Sequence, residues 1–216
     1  MVLLLSYPRS GNHLVRYIIE FLTGQATLGC FSNRVQDSPI FKRYSVRLLG
    51  HVKEDAPVAK KSHFAYELKD HKCDKLIFIL RDPVEAILSH RETRNRDAEY
   101  LAIVNEWFLG NFKYYEDFEG PKAIVSYEDL AFNKQEKAIR VLASFFNVAD
   151  DTVNNFVDNY GIYKEDSYSS LSRGAISNDP KFYAKKATLE DLVYIQEDFK
   201  MIFDHPIYKE CYGQSN

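Results

Sequence analysis

Three short stretches carry residues able to hold an anion or move a proton. In Ser6-Tyr7-Pro8-Arg9-Ser10-Gly11-Asn12-His13, a polar turn separates an apolar run from a helical pattern. A strand–turn–helix start aims several backbone N–H groups at one point, and the helix dipole favours an anion there. Gly11 allows close backbone approach. Arg9 adds a planar fork suited to phosphate or sulfate oxygens. The pattern is not GxxxxGK[ST], so an ordinary ATPase loop is not supported. A plain βα turn with a solvated arginine fits the same spacing. In the second stretch, Leu80-Arg81-Asp82-Pro83 ends an apolar run, and Ser89 follows Arg81 by eight residues. Arg81 and Ser89 together could meet one anion. Alternatively, Asp82 caps a helix and Arg81 is a surface charge. The third stretch is Lys61-Ser62-His63. A histidine just after a strand is placed for general acid–base work. A lone histidine is more often a satisfied core or surface residue, and with six in the chain His63 is not singled out on chemistry alone.

These residues need elements to hold them. Val2–Tyr7 reads as a buried strand. Leu14, Tyr17, Ile18, Phe21 and Leu22 then share one helical face, and Gly24 ends the helix. Val46–Val52 and Pro57–Lys61 are possible short strands. Lys75–Leu80 is a strand, and Pro83 suits the first turn of a following helix. A helix is expected over 99–118, a strand over Lys122–Val125 and a helix over Lys134–Phe146. Residues 160–187 read as a long loop, and Leu189–Phe203 as a closing helix. Alternating strands and helices predict an α/β fold with a mostly parallel sheet. Such sheets bind ligands at the carboxyl ends of their strands, which is where the three stretches fall.

Composition narrows the class. The 216 residues suit a single domain, 1–216. With 28 Lys+Arg against 31 Asp+Glu, the net charge is −3, which argues against a nucleic-acid partner. The balance hides an asymmetry. Residues 34–64 hold seven Lys/Arg and three Asp/Glu, a local +4, whereas residues 97–130 hold two and eight, a local −6. Three widely spaced cysteines without CxxC indicate neither a zinc site nor a disulfide framework, and a reduced, cytoplasmic setting follows. Val2–Leu5 is too short for a signal sequence or a membrane span, so no membrane partner is expected.

Together these segments resemble the sulfotransferases that use 3′-phosphoadenylyl sulfate (PAPS), particularly the cytosolic branch. That family carries [ST]-Y-P-K-S-G-[TN], which stands here as S-Y-P-R-S-G-N from Ser6 to Asn12. Its K-[TS]-H is Lys61-Ser62-His63. Its strand, R-[DN]-P and later Ser are Leu76–Leu80, Arg81-Asp82-Pro83 and Ser89. Its Y-E-D-[LM] is Tyr127-Glu128-Asp129-Leu130. The resemblance spans roughly residues 3–146. It implies a P-loop-like, three-layer α/β fold, PAPS as donor and adenosine 3′,5′-bisphosphate (PAP) as product. It also implies a small hydroxyl or amine acceptor and no metal. Arg9, Ser10, Gly11, Asn12 and His13 would cradle the 5′ phosphosulfate. Arg81 and Ser89 would hold the 3′-phosphate, and Tyr127 would lie against adenine. His63 would be the general base, with Lys61 and Arg9 assisting at the sulfuryl group.

The chain departs from that pattern in three places. Arg9 replaces the usual lysine; it keeps the charge but not a mobile point donor. Asn12-His13-Leu14 replaces T-T-W. The R-K-G-x-x-G segment survives as Arg173-Gly174, with Ser172 before it and Ser177 at the second glycine. A small-molecule or nucleotide kinase of the same broad fold is one rival, lacking here a Walker Lys and a magnesium carboxylate. A non-catalytic nucleotide-binding module is the other.

Overall fold

The computed structural model describes residues 1–29, 46, 57–65, 73–90, 98–171 and 199–213. The core is a five-stranded, all-parallel sheet of order β2-β3-β1-β4-β5. Its strands are β1 (Val2–Ser6), β2 (Thr27–Leu28), β3 (Ala59–Ser62), β4 (Lys75–Leu80) and β5 (Lys122–Ser126).

The central strands β1 and β4 are apolar on both faces because helices cover both. Side chains alternate between two cores. Val2, Leu4, Ile77, Ile79 and Val125 face one core, where α1 (Asn12–Thr23) contributes Leu14, Val15, Ile18 and Leu22. The same layer holds α4 (Gln135–Phe145) and α5 (Asp150–Asp158), through Ile139, Leu142, Val153 and Phe156. Leu3, Leu5, Leu76, Phe78 and Leu80 face the other core. There they meet α2 (Pro83–His90) and α3 (Ala98–Asp117), with Phe108 and Phe112 fully buried, and α7 (Lys200–Asp204) and α8 (Pro206–Tyr212), through Ile202 and Ile207. This is the three-layer α/β arrangement expected, with the sheet wholly parallel.

The expected loop over 160–187 is a helix in its first part: α6 spans Tyr160–Leu171. The segment YGIYKEDSYSSL has no apolar stripe, so periodicity does not reveal it. Tertiary partners order it instead. Tyr163 stacks on Phe156, 4.9 Å between centroids, and the Tyr17 hydroxyl donates to Asp166. A π-helix at Asp129–Asn133, unforeseen from sequence, is tied to α6 as well. The Tyr160 hydroxyl donates to the Leu130 carbonyl at 2.7 Å and Lys164 Nζ to the Ala131 carbonyl at 2.5 Å. Of the possible strand Val46–Val52 only Val46 is described, and it lies in a bend. The closing helix expected over Leu189–Phe203 is described only from Phe199, where α7 begins one residue later. Residues 172–198, including Arg173 and Gly174, lie outside the described residues.

Candidate active site

The site is built where strands end. In the register, Leu5 pairs with Ser62, Ser6 with Ile79, and Leu80 with Ser126. The residues that follow (Tyr7, His63, Arg81 and Tyr127) therefore emerge along one carboxyl edge. The parallel sheet thus gathers segments that lie far apart in sequence.

The loop after β1 turns tightly into α1. Arg9 adopts φ 67° and Gly11 φ 84°, both left-handed. The Ser10 N–H donates to the Tyr7 carbonyl at 3.3 Å, and the Gly11 carbonyl accepts from Val15 N–H at 3.1 Å. Gly11 is needed twice over. Its φ strains any L side chain, and a Cβ there would lie 2.3 Å from Tyr127 Cδ2. Tyr127 thus packs its ring directly on the Gly11 backbone.

Arg81 joins this loop from β4. Its Nη1 donates to the Arg9 carbonyl at 2.8 Å, and its guanidinium lies 4.7 Å from the Tyr127 ring centroid. Asp82 Oδ1 accepts from the Glu85 N–H at 3.1 Å, so the cap on α2 coexists with the arginine contact. Ser89 lies in α2, and its side chain is outside the description. Behind Arg81, Glu128 accepts from the Asp82 N–H at 3.1 Å, the Ser126 hydroxyl at 3.1 Å and the Tyr212 hydroxyl at 2.5 Å. Burial raises the pKa of Asp82, and burial beside Glu128 raises that of Tyr212.

Three buried polar atoms around the loop have no hydrogen-bond partner among the described residues: Ser10 Oγ, Asn12 Oδ1 and Arg81 Nε. Native interiors pair nearly all such atoms, and these three lie on neighbouring segments of one edge. Asn12 bonds Ser6 Oγ through Nδ2. Turned about its amide, Asn12 would accept from that hydroxyl and leave Nδ2 as a donor instead. Such a set of dry donors suits an anion.

His63 leaves β3 beside the same loop. Its Nδ1 lies 3.2 Å from the Ser6 carbonyl and 3.4 Å from Ser6 Oγ. A carbonyl only accepts, so Nδ1 carries a proton, which in the neutral ring leaves the lone pair on Nε2. Lys61, two residues earlier on β3, pairs in register with Leu4. His13 bonds to α6: its Nε2 donates to the Ser167 carbonyl at 3.0 Å. Burial first, then the nearby Arg16, lowers its pKa from 6.5 to about 4, so it is neutral at pH 7. The residues brought together are thus Arg9, Ser10, Gly11, Asn12, Arg81, Tyr127 and His63, while His13 turns to α6.

Two contributors were missed from sequence. Ser6 entered only as a motif letter, yet it holds both Asn12 and His63. Asn111 on α3 bonds the segment carrying His63 at both ends of its amide. The available signal was an amide at a core-facing position of α3, between Phe108 and Phe112. Among the described residues, no group of three or more His, Cys, Asp and Glu is placed to hold a metal ion. None of their helices is long and apolar enough to cross a membrane.

No protein-family profile matches the chain, and no curated protein matches it. Among solved structures, the chain is similar to retinol dehydratase, crystallised with retinol and PAP. The TM-score is 0.58 at 12% identity, covering 94% of this chain and 81% of that one. At that identity the two proteins share a fold, and the fold is P-loop-like α/β.

Proposed function

We propose that the protein is a PAPS-dependent sulfotransferase acting on a hydroxyl or amine of a small acceptor. The observation that carries this reading is a cluster at one sheet edge. There a phosphate-type turn, an arginine crossing to its backbone and a histidine with its lone pair on Nε2 stand together. The fold neighbour was solved with PAP and with a small alcohol, which agrees with both halves of the site.

The donor would supply an activated sulfuryl group bonded through a bridging oxygen to phosphate. The backbone N–H groups after Arg9, with Ser10 and Asn12, would hold the 5′ end. Arg81 would take the 3′-phosphate through Nε and the free edge of its guanidinium. Tyr127, braced on Gly11, would set the depth of the adenine. His63 Nε2 removes the acceptor proton as the new S–O bond forms and the bond to the bridging oxygen breaks. Arg9 and Lys61 offset the charge moving onto the leaving phosphate. Arg173, Gly174 and Ser89 belong to this proposal through the sequence resemblance alone.

Incubation with labelled PAPS and a panel of hydroxyl and amine acceptors tests the reading. Label should pass to at least one acceptor. His63→Ala should lose about 10²–10⁴-fold in turnover, roughly 3–5 kcal/mol of barrier, with PAP affinity almost unchanged. Thermal stabilisation by Mg-ATP and not by PAP would favour a kinase. Binding of PAP without any turnover would favour a binding module.

A further inference from the structure

We propose that Asn111 is a positioning residue that sets the reach of His63; this rests on the reading of His63 as general base. Asn111 sits in the core-facing side of α3 and is 1% exposed. Its neighbours Phe108 and Phe112 are fully buried, so an apolar residue would satisfy packing there. A buried amide is costly unless bonded, and both bonds of this one go to a single segment. Nδ2 donates to the His63 carbonyl at 3.0 Å, and Oδ1 accepts from the Ala65 N–H at 2.9 Å. One side chain thus closes on the backbone either side of Phe64, much as a neighbouring strand would.

The same face of α3 makes a second contact there. Trp107, one turn before Asn111, meets Phe64 with ring centroids 4.5 Å apart. Phe108 stacks on Tyr7 at 4.3 Å, so α3 also braces the exit of β1. The imidazole is therefore held twice, at its backbone by Asn111 and at Nδ1 by Ser6. Without Asn111, a part-buried carbonyl and a part-buried N–H lose their partners and the 63–65 turn must move to satisfy them. The Ser6 carbonyl then no longer selects one tautomer. A misplacement of about 1 Å at a reacting group costs on the order of 10²-fold in rate. Gly11, Arg81 and Tyr127 stand on other elements, so nucleotide affinity should persist.

The test compares the full chain with its Asn111→Ala and Asn111→Ser variants. ¹⁵N NMR of His63 should show the Nδ1–H tautomer in the original protein and a mixture, with a displaced titration, in either variant. Turnover should fall about 10²-fold while the Kd for PAP stays within about twofold. Hydrogen exchange on the original protein should find the Ala65 N–H strongly protected. An Ala65 N–H that exchanges at the rate of an open chain overturns the proposal whether or not a variant folds. So does a folded variant with unchanged His63 tautomer and titration. A correct tautomer pattern in a protein that transfers no sulfuryl group would leave the clamp standing and remove the sulfotransferase reading alone.

Discussion

Replacing Gly11 by alanine should damage stability and nucleotide binding together, by two separable routes. The first is backbone strain: at φ 84° an L residue is in left-handed space, costing roughly 1–2 kcal/mol. The second is overpacking. The new Cβ would lie 2.3 Å from Tyr127 Cδ2 and 2.9 Å from Cε2. The ring must move, and forced movement in a packed region costs about 1–3 kcal/mol. The total of about 2–5 kcal/mol corresponds to roughly 4–20 °C in Tm for a chain of this size. Because Tyr127 also underlies the Arg81 guanidinium at 4.7 Å, its movement should carry Arg81 with it.

The assay is thermal unfolding with and without PAP, in a cycle with Tyr127→Ala. In that background the clash is gone, so Gly11→Ala should cost only the strain portion, and the coupling should be about 1–3 kcal/mol. A Gly11→Ala protein within 0.5 kcal/mol of the original, on the order of an ordinary surface change, would refute the reasoning. An equal loss in both backgrounds would assign the whole effect to the backbone and remove the Tyr127 contact from the account.

Arg81→Ala should weaken PAP binding by roughly 10–150-fold, the range for a hydrogen bond to a charged group. Arg81→Lys should not restore it, since the fork and the stacked face are both lost; calorimetry checks each, and unchanged affinity would remove Arg81 from the site. Glu85 lies 3.6 Å from Arg81 and is 61% exposed, so it competes weakly with a bound anion. Glu85→Gln should tighten PAP binding by up to about fivefold, about 1 kcal/mol, at low salt and have no effect near 1 M salt. The depressed pKa of His13 means that the unfolded chain binds its proton first as pH falls. Stability from this group is therefore full above pH 6.5 and is lost towards pH 4, by on the order of 3 kcal/mol. His13→Gln should flatten denaturation midpoints across that window, and equal slopes would show that His13 does not carry it.

What was readable in the sequence is what local pattern determines. Continuous apolar runs at Val2–Ser6 and Lys75–Leu80 have no other place than a doubly covered sheet, and the turn after each follows from its glycine, proline or capping aspartate. The resemblance supplied the groups at those ends, and Arg9, Gly11, Arg81, Tyr127 and His63 do share one edge. What was not readable depends on partners distant in the chain. Helix α6 looks like a polar loop because its ordering comes from hydroxyls and stacked rings on α1 and α5. The π-helix at Asp129–Asn133 depends on donors about thirty residues later. Asn111 carries no motif at all; its meaning exists only once β3 ends beside α3.

The surroundings of Arg81 bear on how a near-neutral chain could present the proposed anion site. Three carboxylates, Asp82, Glu85 and Glu128, lie close to this arginine in sequence or space, which ought to extinguish its charge. Two of them are already committed to neutral donors. Asp82 accepts from the Glu85 N–H and the Tyr208 hydroxyl, and Glu128 from the Asp82 N–H, Ser126 and Tyr212. Among the described residues neither pairs with Arg81, and the third does so only at 3.6 Å across exposed surface. Arg81 instead donates one nitrogen to the Arg9 carbonyl, and its buried Nε has no partner among the described residues. Its side chain is only 12% exposed, so what remains of its charge acts in a partly dry setting where each contact counts for more than in water. Tyr208 and Tyr212 both come from α8, at the far end of the chain. On the proposed reading, an anion at Arg81 would be favoured more by these local hydrogen bonds, in which Tyr208 donates to Asp82 and Tyr212 to Glu128, than by net charge.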